Sequence, residues 1–230
     1  MQFSGFQKLT LLDYPEKTAC TLFTAGCNFR CPFCHNAALV THIDNSNFFT
    51  EEYVLDYLKK RRGILDGVCI TGGEPLMHKE LPDFIAKVKA LGYLVKLDTN
   101  GSYPDRLEAL IDSGNIDYVA MDIKNCKDKY LITADCSRQD LKNVEKSVEL
   151  LMQKKIDFEF RTTIVKEYHT VDDVKKIAEW IVGCDKYFLQ NFIDSGDIIK
   201  NNLSAVSPET LEFMRSCAQD IIPNVQIRGI

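Results

Sequence analysis

No run in this 230-residue chain approaches 18 consecutive apolar residues, so the length needed for a membrane-spanning helix is never reached. Residues Met1 to Thr10 lack the long apolar core of a secretory signal. No segment is of low complexity, and none is rich enough in Pro, Gly or Ser to act as a linker between domains. A single domain over residues 1–230 is expected, with a short N-terminal extension (about 1–17) and a C-terminal helix and strand (about 207–230). Basic residues are not in excess: 28 Lys and Arg stand against 33 Asp and Glu, without a basic block. The charge pattern therefore favours neither nucleic acid nor an anionic membrane as partner. Histidine and tryptophan are scarce. His42, His78 and His169 belong to no motif and read as surface residues, and Trp180 falls in an apolar helical pattern that places it in the core.

Cysteine is not scarce. Nine cysteines without secretory features point to a reducing cytoplasm, and to metal or redox chemistry rather than disulfides. Cys20, Cys69, Cys126, Cys136, Cys184 and Cys217 are scattered and read as structural, Cys20 and Cys69 because they lie in apolar runs. Cys27, Cys31 and Cys34 are different. They form a Cys-x₃-Cys-x₂-Cys pattern in one short loop, where an odd number of thiols can wrap one metal centre but cannot all pair.

The rest of the chain alternates strand-like and helix-like segments. Strands are expected at Thr18–Thr24, Gly67–Thr71, Tyr93–Leu97, Tyr118–Ile123, Phe158–Val165 and Lys186–Phe192, with a terminal one at Val225–Arg228. Helices are expected at Glu51–Arg62 with Thr50 as N-cap, Leu81–Leu91 stopping at Gly92, Pro104–Ser113, Gln139–Lys154, Val171–Val182 and Pro208–Cys217. This alternation implies an α/β fold with a parallel sheet and right-handed crossovers, either doubly wound or a barrel of fewer than eight units. The cysteine loop, Gly72-Gly73-Glu74-Pro75, Asp98-Thr99-Asn100-Gly101 and the polar end of the fourth strand all follow C-terminal strand ends. In both arrangements that rim carries ligand chemistry.

Three thiolates can hold a cubane iron–sulfur cluster and leave one iron open to a small molecule. The competing reading is zinc, completed by His35 or a distant cysteine. Zinc sites usually bring a second Cys or Cys/His pair, and none is present. Strand alternation puts Asp122 with Lys124 on one face, either as liganding charges or as a plain salt bridge. It also puts Glu159, Arg161 and Thr163 together, so that Arg161 either touches a ligand or pairs with Glu159.

Cys27-x₃-Cys31-x₂-Cys34 with Phe33 before the last cysteine resembles the signature of radical S-adenosylmethionine enzymes, and Gly72-Gly73-Glu74-Pro75 resembles that superfamily's second motif. His35-Asn36, Asp98–Gly101 and Met121-Asp122-Ile123-Lys124 are similar to motifs of glycyl-radical enzyme activating enzymes. The stretch Gly5 to Pro15 resembles the longer type of anaerobic ribonucleoside-triphosphate reductase activating protein. That family usually has Gly where this chain has Glu16. Formate-lyase activating relatives carry a histidine at the end of the sixth strand, where this chain reads Leu189-Gln190-Asn191-Phe192 and offers Gln190 or Asn191 instead.

The resemblance implies a partial (β/α)6 TIM-type barrel, open on one side, and an oxidoreductase that uses a [4Fe–4S] cluster and S-adenosyl-L-methionine. A 5′-deoxyadenosyl radical would make a glycyl radical on anaerobic ribonucleoside-triphosphate reductase, with a low-potential donor such as flavodoxin or ferredoxin. It further implies that Cys27, Cys31 and Cys34 hold the cluster, and that Phe33, His35, Gly72, Gly73, Glu74, Asp98, Asn100, Asp122, Lys124 and Arg161 bind the cofactor. Phe33 and His35 would lie by the adenine, and Gly72 and Gly73 would let the backbone approach the cofactor's amino group. Asp98, Thr99, Met121 and Asp122 match positions around a monovalent cation. Activation of another glycyl-radical enzyme of the pyruvate formate-lyase type, small-molecule radical chemistry, and a non-catalytic iron–sulfur or zinc protein are the alternatives.

Overall fold

A computed structural model describes residues 1–43, 48–194 and 196–229. The chain opens with β1 (Gln2–Phe3) and β2 (Gly5–Thr10), followed by β3 (Ala19–Thr24), α1 (Ala37–Thr41), β4 (Phe49–Thr50) and α2 (Glu51–Lys60). Next come β5 (Gly67–Gly72), α3 (Leu81–Ala90), β6 (Leu94–Thr99), α4 (Pro104–Asp112), β7 (Tyr118–Asp122), α5 (Tyr130–Ala134) and α6 (Arg138–Leu151). The final elements are β8 (Asp157–Ile164), α7 (Val171–Trp180), β9 (Tyr187–Asn191), α8 (Pro208–Gln219) and β10 (Val225–Arg228). The helix starts have local causes. Thr50 caps α2 by accepting from the Tyr53 N–H, and the reciprocal pairs Ser137/Asp140 and Thr170/Asp173 cap α6 and α7.

The main sheet has the order β10-β9-β8-β7-β6-β5-β3-β2. Every neighbouring pair from β3 to β10 is parallel, and only β2 runs antiparallel, along β3. Strand order follows chain order without reversal. A doubly wound sheet reverses at a switch point, so this progression selects the barrel-type winding. β2 and β10 do not pair with each other, and the barrel stays open between them. The antiparallel β2 and the small sheet of β1 with β4 were not expected from the sequence, because Gly5–Thr10 has too little apolar alternation to announce a strand.

Period-two alternation gives each strand two jobs. Outward residues such as Leu22, Ile70, Leu97, Met121, Phe160 and Leu189 pack under the helices in one continuous core with Phe84, Ile85, Val148 and Ile177. Each such fully buried side chain contributes about 2 kcal/mol by area. Inward residues are polar from mid-barrel upward, and the lower end is plugged by Tyr14, Ala19, Leu94 and Tyr118. Tyr14 arrives on the loop before β3, where Glu16 adopts a φ of 60°. A β-carbon is disfavoured in that left-handed conformation, so Glu16 carries a local strain that glycine would not.

Candidate active site

The cysteine loop leaves β3 and is held from below and from both sides. Phe29 is buried under it, and the Arg30 N–H donates to the Ala134 carbonyl of α5 at 3.1 Å. Cys31 is buried, with its Sγ 3.7 Å from the same carbonyl, whereas Cys27 and Cys34 are half-buried at the wall of a cavity of about 220 Å³. Burial pushes the Cys27 thiol up to about 11, with the Glu74 charge adding to it, and the Cys31 thiol up to about 12. Cys34 is raised for the same reason. All three thiols are mutually close enough that ionising one disfavours the others. Asn100 Nδ2 points at Cys27 Sγ from 3.7 Å and donates to Asn28 Oδ1 at 3.1 Å, tying this loop to the one after β6.

The second loop meets the first along its backbone. A β-carbon on Gly73 would stand 1.9 Å from the Gly26 carbonyl oxygen, and one on Gly72 would stand 2.4 Å from Thr24 backbone atoms. Both glycines line the cavity, yet what they visibly permit is the approach of another chain segment, not only of a ligand. The Gly73 and Glu74 N–H groups donate to the Thr24 and Gly26 carbonyls, and Asn36 Nδ2 donates to the Gly72 carbonyl.

Glu74 does not reach the cavity. It is fully buried, and its carboxylate accepts from the Leu76 and Asn100 N–H groups and the Thr99 hydroxyl at 2.7–3.0 Å. The expected cofactor contact is therefore corrected to a clamp between two rim loops. Burial, opposed by these three donors, pushes its carboxyl up to about 7.

Across the cavity from the thiols stands a chain of charge. Lys96 bonds Asp98, Arg161 Nη1 donates to Asp98 at 3.1 Å, Arg161 Nε donates to Asp122 at 2.9 Å, and Lys124 Nζ donates to Asp122 at 3.1 Å. Burial opposes every one of these charges, but the partners win. Arg161 and Lys124 hold Asp122 well below the usual carboxylate range, Arg161 and Lys96 lower Asp98, and Asp122 with Cys31 raises Lys124. Asp98, Asp122, Lys124, Arg161, Thr163 and Gln190 all line the cavity. Lys96 went unnoticed in the sequence, although it shares a strand face with Asp98 two residues on.

Of the expected site residues, Cys27, Cys31, Phe33, Cys34, His35, Gly72, Gly73, Asp98, Thr99, Asn100, Asp122, Lys124 and Arg161 line this one cavity. Met121 does not: its side chain is on the helix side, where it would abut any side chain at Gly101. The expected cation group does not converge, because the Arg161 guanidinium stands between the two carboxylates and Thr99 is bonded to Glu74. The alternative pairing of Arg161 with Glu159 is overturned as well, since Glu159 is held by Arg228 and Tyr118. The Asp122–Lys124 salt bridge does form, within the cavity wall.

Asn191 is engaged by Val206, which leaves Gln190 as the polar group of β9 at the site. His169 is buried rather than exposed. The Val165 N–H donates to its Nδ1, so Nε2 carries the proton toward the Lys124 carbonyl at 2.9 Å, and its ring meets Phe33 edge-on. His78 is half-buried, with Nε2 2.9 Å from the Ala25 carbonyl. Trp180 is only partly buried, with Lys127 over its ring.

Comparison with known proteins decides the class. The sequence profile of the radical SAM superfamily matches residues 21–181, from β3 to the end of α7. The chain belongs to the radical SAM superfamily. Within it, a Methanocaldococcus jannaschii protein, by inferred function a glycyl-radical enzyme activating enzyme, is 34% identical, covering 99% of this chain and 95% of that protein. The anaerobic ribonucleoside-triphosphate reductase-activating protein of Salmonella typhi is 29% identical, over 40% of this chain and 60% of its own. In structure, Streptococcus suis SuiB bound to S-adenosylmethionine superposes with a TM-score of 0.72 at 15% identity, over 90% of this chain and 49% of that one, which shows the shared fold.

Radical SAM enzymes use a [4Fe–4S] cluster and S-adenosylmethionine, and this cavity fits them. Among the described residues, no three His, Cys, Asp or Glu groups converge as ligands of a single ion do. A cubane makes no such demand, because each thiolate binds its own iron. Three thiols on one wall and a surplus of cationic donors on the other suit a cluster beside a zwitterionic cofactor. Among the described residues no helix is long and apolar enough to cross a membrane.

Proposed function

We propose that this radical SAM enzyme activates a glycyl-radical enzyme, and that its partner is an anaerobic ribonucleoside-triphosphate reductase in a reducing cytoplasm. The observation that carries the reading is the cavity between the cysteine loop and the Lys124–Asp122–Arg161 wall, placed at the mouth of a barrel that is open between β2 and β10. An open side admits a loop of a protein substrate, and similarity to the inferred activating enzyme over nearly the whole chain supports the class. The reductase as partner is supported by the Gly5–Pro15 stretch and by the Salmonella relative.

A bound [4Fe–4S] cluster, given one electron by a donor such as flavodoxin or ferredoxin, would supply reductive cleavage of S-adenosylmethionine to methionine and a 5′-deoxyadenosyl radical, and with it abstraction of one hydrogen atom from a glycine Cα of the partner. The chain's own residues do the rest. Cys27, Cys31 and Cys34 hold the cluster, each giving up a proton that burial otherwise keeps on sulfur. Lys124 and Arg161 stay charged at neutral pH and line the cavity, where they would hold the cofactor's carboxylate. Phe33 and His35, the latter stacked on Phe192 at 5.6 Å, offer flat faces to the adenine. Gln190 and Asn100 supply neutral hydrogen bonds.

The test mixes the reconstituted, reduced protein with S-adenosylmethionine and the reductase without oxygen. Formation of 5′-deoxyadenosine with a glycyl-radical EPR signal on the reductase is the expected result. A radical that appears only on a formate-lyase-type partner, or cleavage productive only with a small molecule, would keep the class and replace the substrate. No 5′-deoxyadenosine under any condition would leave the non-catalytic metal protein.

A further inference from the structure

Among the described residues, one buried side-chain polar atom has no hydrogen-bond partner: Tyr130 Oη. Tyr130 is the first residue of α5 and is completely buried, with its ring edge-on to Trp180 at 6.0 Å. The position is not incidental. Ala134, one turn further along the same helix, has its carbonyl 3.7 Å from Cys31 Sγ, so α5 is the element against which the most buried of the three loop cysteines rests. Tyr130 and Cys31 share the same packed core, and a charge on Cys31 would disfavour ionisation of the phenol more than one on any other side chain, followed by Cys136. The Lys124 N–H also faces Oη, outside bonding geometry. Being a donor, it could in any case only serve the oxygen's lone pairs. The proton of the hydroxyl is what lacks a partner.

An orphaned buried hydroxyl is costly to keep, on the scale of a lost hydrogen bond, and phenylalanine would fill the same space without that penalty. A neutral thiol is a poor acceptor. A thiolate bound to iron carries the charge that makes sulfur a good one. We propose that Tyr130 donates an O–H···S hydrogen bond to the Cys31 thiolate, or to a cluster sulfide beside it, when the cluster is in place, and so sets the cluster's reduction potential. Tyr130 is then a positioning and tuning residue. A donor to sulfur stabilises the more electron-rich, reduced state and makes the potential less negative. The inference rests on the cluster and not on which protein the enzyme activates, so it stands or falls separately from the reductase assignment.

The experiment is Tyr130→Phe, read in two states of the protein. Without the cluster, the variant should melt at the same temperature as the wild type or higher, because only an unsatisfied hydroxyl is removed. With the reconstituted cluster, its midpoint potential, followed by EPR during a redox titration without S-adenosylmethionine, should move to more negative values. An exchangeable proton coupled to the reduced cluster, visible by ENDOR in the wild type, should disappear. An unchanged potential would overturn the proposal, and so would a cluster-free protein that melts lower, since Oη would then already have a partner. Should Tyr130→Phe fail to retain a cluster, 3,5-difluorotyrosine at position 130 gives the opposite readout. As a stronger donor it must move the potential to less negative values, and no movement would sink the idea.

Discussion

Two groups of buried charge sit one above the other inside the same barrel, and they are built to different ends. In the lower group, Glu159 receives both ends of the Arg228 guanidinium at 2.5 and 2.9 Å and the Tyr118 hydroxyl at 2.8 Å, while Arg228 lies flat on Phe188. Both Arg228 Nη groups and the phenol there find their acceptor in Glu159, and the group fastens the last strand to the barrel. The upper group has three cations, Lys96, Arg161 and Lys124, for two carboxylates, Asp98 and Asp122. Its unspent donors face the cavity. A closed group contributes to holding the fold, whereas one with cationic surplus is completed by an anion from outside.

Changes at the rim should have the largest consequence. Replacing Cys27, Cys31 or Cys34 by Ser should abolish 5′-deoxyadenosine formation, while Cys136→Ser should keep most of it, as chromatography of the reaction products would show. Comparable loss at Cys136 would mean that the cavity-facing thiols are not the ligand set. Within the upper group, Lys124→Ala should weaken S-adenosylmethionine binding about 10- to 100-fold, the worth of one charge-assisted hydrogen bond. Its melting temperature should change little.

The lower group should give the reverse pattern. Glu159→Ala strands Arg228 and Tyr118 and should destabilise the protein by about 3 kcal/mol in denaturant unfolding, with cofactor affinity intact. If both variants lose affinity and stability together, the two groups are one network and the contrast fails.

Glu74 provides a pH test. Its folded carboxyl is raised to about 7 from an ordinary 4.5, so the folded state holds a proton that the unfolded chain releases. That stabilisation is complete below about pH 4.5 and is lost as pH rises through 7. Unfolding of the cluster-free protein should therefore become easier between those limits, on the order of 3 kcal/mol in all. Glu74→Gln should flatten this slope while lowering stability throughout, because an amide cannot accept from all three donors. The smallest effect belongs to the lower plug. Glu16→Gly should raise stability by about 0.5–1 kcal/mol, as the residue at φ 60° loses its β-carbon.

Most of the barrel was legible because its signals are local. Six expected strands appear as β3, β5, β6, β7, β8 and β9, the expected terminal one appears as β10, and Thr50 and Gly92 bound their helices as read, since a cap or a strand period depends on residues within a turn of one another. β2 was missed because its register comes from β3, not from its own alternation. His169 and His78 were misplaced for a related reason: their partners, the Lys124 and Ala25 carbonyls, are 45 and 53 residues away.

The amino-acid sequence by itself determined the cysteine spacing, the strand after which each polar loop falls, and hence the rim on which the chemistry lies. Only the tertiary structure decided how buried charge is shared. Arg161 chose Asp98, 63 residues distant, over its own neighbour on the strand, and Glu74 turned away from the cavity to clamp the next loop. Residues two or four apart are brought together by backbone geometry alone. A desolvated charge must instead be matched by whatever opposite charge the closing barrel places beside it, and that depends on the sheet's register and winding rather than on nearness in the chain.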